Sequence, residues 1–419
     1  MKRIFVWAVG MCAVCGTVSA QLTLEECYRA ARENYPLVRQ FDLIERTKDF
    51  TVENAAKGYF PQLSFSGKAS YQSDVTKMPF SIPGVEFGLD NDQYQLVLEL
   101  NQTIWDGGVV RNRKEEAQAK SDVQKGQLEV NLYALNDRVN QLFFGMLLID
   151  AQLAQNALLQ AQLARNHGQV SACMQQGVAN QADLDAVKVE QLNTKQKRVE
   201  LVSSRMAYLK MLSLLVGEKL SQETVLEKPV PQDDISAVGE IRRPELSLFN
   251  AQGVGLQVQE KALNVRHLPQ FGLFVQGAYG NPGLNMLKNE FSPYYIAGVR
   301  LSWNFGSLYT LKNDRKVIEN KRRQLDNNRD VFLFNTRLEM TQQDQAIQSL
   351  EKQMQDDDEI IRLRTNIRKS AEAKVANGTL TVTEMLRELT NESLARQSKA
   401  LHEIQRLMGI YQLKYTTND

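Results

Sequence analysis

The densest set of potential metal ligands in the chain is the run Asp356-Asp357-Asp358-Glu359, whose chemistry would be oxygen ligation of a hard divalent cation. It is followed by Arg362, Arg364, Arg368 and Lys369, and Asp358 is spaced to pair with Arg362 one helical turn on. The run therefore reads as a solvated helix face, and the basic stretch Arg315–Arg329 reads the same way. The three histidines, His167, His267 and His402, share no metal-ligand spacing and build no Ser/His/Asp or Cys/His nucleophile. No phosphate-binding glycine loop of the Walker type is present. Cys27 and Cys173 are too far apart in sequence to suggest a disulfide framework and suit buried helix positions. These residues predict no enzyme, no metal and no cofactor.

The informative pattern is alternation. Leu63, Phe65, Gly67, Ala69 and Tyr71 alternate with Ser64, Ser66, Lys68 and Ser70, and Tyr94, Leu96, Leu98 and Leu100 alternate with Gln95, Val97, Glu99 and Asn101. Later, Tyr295, Ala297, Val299, Leu301 and Trp303 alternate with Gly298, Arg300 and Ser302. A period of two gives each strand one apolar and one polar face. The segment Phe271–Tyr279 is weaker, because Phe274 interrupts its polar face. Each segment has about the 9–11 residues that cross a bilayer when tilted. Tyr71, Tyr94, Trp105, Tyr279, Tyr294, Tyr295 and Trp303 cluster at segment ends, as interface girdles do. Leu63, Phe65, Leu96, Leu98, Leu100, Val299 and Leu301 are then the expected lipid-facing residues. A soluble sheet with one face packed on helices remains open at this point. Four strands cannot close a barrel and open edges are not tolerated in lipid, so transmembrane strands would require oligomerisation, with two copies giving eight strands and three giving twelve.

The elements around these strands occur twice. Phe60-Pro61-Gln62-Leu63 returns as Leu268-Pro269-Gln270-Phe271, and Gln176-Gly177-Val178 is echoed by Asn377-Gly378-Thr379, at an offset of about 200 residues. No proline lies between Gly84 and Lys228 or after Pro293, which permits very long helices. Leu128, Leu132, Leu135, Val139, Leu142, Met146, Ile149 and Leu153 form a heptad-like seam, as do Val199, Val202, Met206 and Leu209, and Leu394, Gln397, Leu401, Ile404 and Met408. The division expected is a signal peptide over 1–20, a first repeat over 21–217, a linker over 218–243 and a second repeat over 244–419. Strands are expected near 61–72, 93–104, 269–280 and 293–304, and helical hairpins turning near 177 and 378. The signal reading rests on Lys2 and Arg3, the apolar run after them, and the small residues Val18-Ser19-Ala20. Cys12 and Cys15 fall inside that run and offer a poor context for lipidation. No later stretch has about 18 uninterrupted apolar residues, so no membrane-spanning helix is expected. Among 419 residues the formal net charge is +1, which gives no field for nucleic acid.

Leu22-Thr23-Leu24-Glu25-Glu26, Asn34-Tyr35-Pro36, the two strand-opening segments and the turn Gln102-Thr103-Ile104-Trp105-Asp106-Gly107-Gly108 occur in order and spacing that resemble the TolC-like outer-membrane efflux proteins over nearly the whole chain. The resemblance implies a mixed α+β membrane protein. It would be a homotrimer with a twelve-stranded transmembrane β-barrel, four strands per chain, continued by a long α-helical barrel in the periplasm of a Gram-negative cell. Such channels dock on a periplasmic adaptor (membrane fusion) protein and an inner-membrane transporter of the RND or ABC type. They act as passive conduits in efflux or type I secretion. The resemblance places adaptor contacts at the hairpin tips, Gly177, Val178, Ala179, Gly378, Thr379 and Leu380, and a periplasmic constriction at Asp183, Glu384 and Arg387. It also exposes departures. Val375 and Leu380 stand where the family's linking tyrosine and arginine would, and Glu384 and Arg387 where two inward aspartates would. The expectation is a constriction in which Glu384 and Arg387 pair between protomers. Two other readings compete: a coiled-coil structural or adhesive envelope protein without a pore, and a periplasmic adaptor. The strand alternation and duplicated plan count against both.

Overall fold

The computed structural model describes residues 21–76, 88–230 and 240–418. The expected signal segment and residues 231–239 of the expected linker lie outside the described residues. The elements are α1 (Leu24–Asn34), α2 (Gln40–Ala56), β1 (Gln62–Tyr71), β2 (Asp92–Trp105), α3 (Val109–Gln175), α4 (Gln181–Val216), α5 (Pro244–Val265), β3 (Gln270–Asn281), β4 (Ser292–Ser302), α6 (Leu308–Ala376) and α7 (Val382–Thr417). The order helix, two strands, very long helix, shorter helix is thus run through twice. α3 and α6 have 67 and 69 residues, each about 100 Å at 1.5 Å per residue.

The chain divides into two compact units, one holding Met1–Val38, Asn131–Arg243 and Phe334–Asp419, the other Arg39–Val130 and Pro244–Leu333. In the first, Val139, Phe143, Phe144 and Met146 of α3 are buried with Leu24 and Cys27 of α1, Leu209 and Leu212 of α4, and Ile404 and Leu407 of α7. Leu132, Leu135, Val139, Met146 and Ile149 of the α3 seam are buried, which follows from their four-three spacing. The other seams are less covered: Val199, Val202 and Leu394 remain exposed. One window of α3 is, by length and composition alone, apolar enough to cross a membrane, and about a third of it is buried within the fold. Burial pushes the Cys27 thiol up to about 12, so that cysteine is a packing residue.

The second unit contains the four-stranded antiparallel sheet, ordered β1-β2-β3-β4. After β2 the chain turns sharply into α3. Asp106 is buried there, and its carboxylate accepts from the backbone N–H groups of Gly108 at 2.8 Å and Val110 at 2.6 Å and from the Tyr59 hydroxyl at 2.7 Å. It therefore satisfies donors that the first turn of α3 would leave open. Burial opposes its charge, but the hydrogen bonds from Val110, Tyr59 and Gly108 outweigh that and hold its pKa below the usual carboxylate value. Replacing Asp106 by alanine is expected to cost about 1–2 kcal/mol of stability, read as a lowered denaturant midpoint.

The acidic run behaves as a helix face, with different partners from those expected. Asp358 pairs with Lys399 of α7 at 2.5 Å rather than with Arg362, which instead pairs with Glu359. The cause is the packing of α7 alongside, which presents Lys399 to Asp358 while the i,i+3 spacing serves Glu359. His402 meets Asp357 at 2.9 Å. No cluster of three or more metal-ligating side chains occurs among the described residues.

Candidate functional site

The register places Leu63, Phe65, Leu96, Leu98, Leu100, Val299 and Leu301 on one face of the sheet. Leu63 faces Leu100, Phe65 faces Leu98, and Val299 and Leu301 face Leu273 and Phe271. All of them are exposed: Phe65 is 70 % accessible, Leu98 48 % and Val299 71 %. On the central strands β2 and β3 the alternate residues are the more sheltered ones, whereas β1 and most of β4 are exposed on both faces. Val97, Glu99 and Phe274 are half-buried and Ala278 is buried. A one-sided soluble sheet buries its apolar face; this sheet leaves that face exposed on all four strands. Its outer strands, β1 and β4, each have one neighbour and therefore open edges among the described residues.

On the sheltered face, Arg300 of β4 reaches over β3 to β2. Its guanidinium lies 4.8 Å from the centre of the Phe274 ring and donates to Glu99 at 3.0 Å and Asn101 at 3.1 Å. Phe274 is thus an apolar member of a polar face because it carries a cation on its ring. Gly298 makes room for it, since a Cβ there would come 3.0 Å from the ring. Tyr294 also departs from its expected girdle position: its hydroxyl accepts from Gln95 Nε2 on the sheltered face. Other aromatics group at the two strand ends. Tyr94 and Tyr279 stack on Phe291 at one end. Trp105 packs with Phe271, and Trp303 with Phe305, at the other.

The two hairpin turns belong to the helical unit. Gly177 and Gly378 have φ of 75° and 69°, the left-handed region in which a side chain is strained. The turns adjoin, because a Cβ on Gly378 would lie 3.1 Å from Val178 Cγ1. Beyond each turn the next helix opens with a capping box: Asn180 with Asp183 for α4, and Thr381 with Glu384 for α7. Both acidic residues expected at a constriction are therefore engaged by their own helix starts. The hydrogen bonds from Thr381 hold the Glu384 pKa below its usual value. Arg387 is exposed and its guanidinium sits 3.4 Å from Glu388, not at Glu384. Val375 is buried with Val170, Val187, Val382 and Met385, and Leu380 and Ala179 pack against that cluster. Apolar packing within one chain thus occupies the positions where the resemblance would put polar links.

A buried ionic network, unmarked by any sequence motif, lies farther along the second hairpin. Glu392 of α7 is 6 % exposed. It accepts from Arg368 Nε, from Thr365 Oγ1 at 2.9 Å and from Arg396 at 2.7 Å. Arg368 also meets Glu372 at 2.6 Å, and Glu372 accepts from Gln162 of α3 at 2.9 Å. Burial disfavours the Glu392 charge, yet the bonds from Arg396, Arg368 and Thr365 prevail and lower its pKa. A sequence signal existed in the i,i+4 spacings of Arg368 to Glu372 and Glu392 to Arg396, but exposed helices show the same spacing.

The family model described as outer membrane efflux protein matches residues 27–218. Over these residues the chain matches the outer membrane efflux protein family. The family is one of channels, not of enzymes. No protein of curated function matches the sequence. Among solved structures, the outer membrane protein VceC from Vibrio cholerae is 11 % identical, with a TM-score of 0.69 over 94 % of this chain and 95 % of its own. CusC, whose structures concern transmembrane channel formation, is 15 % identical, with a TM-score of 0.68 over 94 % and 91 %. The CmeC outer membrane channel of Campylobacter jejuni is 13 % identical, with a TM-score of 0.64 over 94 % and 85 %. At these identities the likeness concerns fold. Beyond residue 218 the chain shares that fold with all three.

Proposed function

We propose that three copies of this efflux protein close a twelve-stranded barrel in the outer membrane, continued by their helices as a periplasmic tunnel. The channel is a passive conduit for small molecules or proteins, and an inner-membrane transporter of RND or ABC type drives export through it. The observation that carries this reading is the sheet's exposed apolar face, with a polar face half-buried on the two central strands and two open edges. Exposed apolar strands suit lipid, and open edges suit pairing of β4 in one copy with β1 in the next. The repeated element order supports an origin by tandem duplication, with 21–217 and 244–419 as the two staves and 218–243 as their linker. The adjoining tips around Gly177, Val178, Ala179, Gly378, Thr379 and Leu380 are the proposed adaptor contact. Purified full-length protein should form heat-resistant trimers and give discrete conductance steps in planar bilayers. A monomer without conductance would leave the coiled-coil envelope reading in its place.

At the tunnel end we keep Asp183, Glu384 and Arg387 as the proposed constriction, with Glu384 and Arg387 facing each other between protomers. Thr381 engages one carboxylate oxygen, Glu384 Oε2, through both of its donors, which leaves Oε1 for such a contact. Arg387→Asp is expected to raise cation selectivity in single-channel recordings. Unchanged selectivity would remove the pairing.

A further inference from the structure

The polar face of the described strands carries three charged side chains: Lys68 on β1, Glu99 on β2 and Arg300 on β4. β3 contributes none. Asp92, at the start of β2, shares the parity of Leu96 and Leu98 and so belongs to the other face. Glu99 and Arg300 are paired at 3.0 Å, and the Phe274 ring and Asn101 hold the guanidinium in place. Lys68 is exposed and has no ion-pair or hydrogen-bond partner among the described residues. It faces Gln95, whereas Glu99 faces Ser64. That is four residues along the strand, about 13 Å at roughly 3.3 Å per residue, beyond a Debye length of about 8 Å at physiological salt. Glu99 therefore neutralises Arg300 and leaves Lys68 uncompensated, so each chain places one net positive charge on this face.

We propose that Lys68, Glu99 and Arg300 set the charge selectivity of the strand-lined passage, and that they make it favour anions. The inference rests on the channel reading above, in which the sheltered face lines the lumen. Like-signed charge in a pore with low-dielectric walls focuses its field and concentrates counter-ions, so one unpaired lysine per chain is enough to bias permeation. The Glu99–Arg300 pair is the adjustable element: removing either partner releases the charge of the other. The cargo class favoured at this level is anionic small molecules.

Reversal potentials of the reconstituted full-length protein under a KCl gradient test the proposal. The chloride-to-potassium permeability ratio should exceed one in the wild type. It should rise severalfold in Glu99→Gln, fall towards one in Lys68→Gln and in Arg300→Gln, and invert in the double variant Lys68→Gln/Arg300→Gln. The bias should fade at about 1 M salt, where screening acts over roughly 3 Å. Lys68→Gln changes a side chain without partners among the described residues, so it keeps the test valid should Arg300→Gln fail to assemble. A conducting channel whose ratio is the same in wild type, Lys68→Gln and Glu99→Gln overturns the inference while leaving the channel reading intact. A ratio that moves only with Arg387→Asp overturns it too, by placing selectivity at the tunnel end. Absence of any conductance in the wild type overturns the channel reading and this inference with it.

Discussion

Glu392→Leu is expected to lower the unfolding free energy by about 3–5 kcal/mol, the cost of breaking a buried ion pair from one side. The variant removes the acceptor shared by Arg368, Arg396 and Thr365. Arg396 is partly exposed and can turn to water, but the Arg368 side chain is 10 % accessible and cannot. It keeps only Glu372. The matching test is Glu392→Leu/Arg368→Leu, which removes both charges from the interior and should recover much of the loss, because a buried pair gains little over well-packed apolar side chains. A double variant no better than the single would show that the network acts through shape rather than charge. The same group has a pH signature. Its folded pKa is depressed, so its contribution is complete above the unfolded carboxylate value of about 4.3 and is lost as pH falls through the lower folded value. Chemical denaturation of wild type and Glu392→Leu across that acid range should show the difference between them shrinking as pH falls.

In the barrel proposed above, Leu98→Arg should cost about 2–4 kcal/mol of stability, the penalty for a cation near the bilayer midplane. Leu98 lies in the middle of β2, opposite Phe65 on one side and Gly277 on the other, and its side chain points away from the sheltered face. The control belongs on the polar face. Glu99→Arg is a poor one, since it would set two guanidinium groups against each other at Arg300. Ser66→Arg is better: Ser66 faces Val97 on the polar side and its change leaves the ion pair intact. Yields of heat-resistant oligomer should fall sharply for Leu98→Arg and little for Ser66→Arg. Equal yields would mean that the two faces are misassigned.

What the order of residues determined was periodic and local. The period-two alternation marked all four strands, and the structure places them within a residue or two of the expected spans. The four-three spacing marked the long helices, and Gly177 and Gly378 marked the turns, since only glycine takes that conformation without strain. The capping boxes at Asn180–Asp183 and Thr381–Glu384 are local as well, closing within one helical turn, yet their acids carry a second expectation as channel residues.

What the tertiary structure decided was every relation set by partners distant in sequence. Phe274 looked like a flaw in a strand until Arg300 lay on its ring, and that contact depends on the pairing of β3 with β4. Asp358 chose Lys399 over its helical neighbour because α7 packs beside α6. Val375 and Leu380, departures from the family's polar positions, became parts of an apolar cluster. Glu392 became the centre of a buried network, though on the page it is one glutamate among many. A sequence states which side chains can face the same way along one element. Which of them lose water depends on the neighbour that covers them, and that neighbour is chosen by the fold.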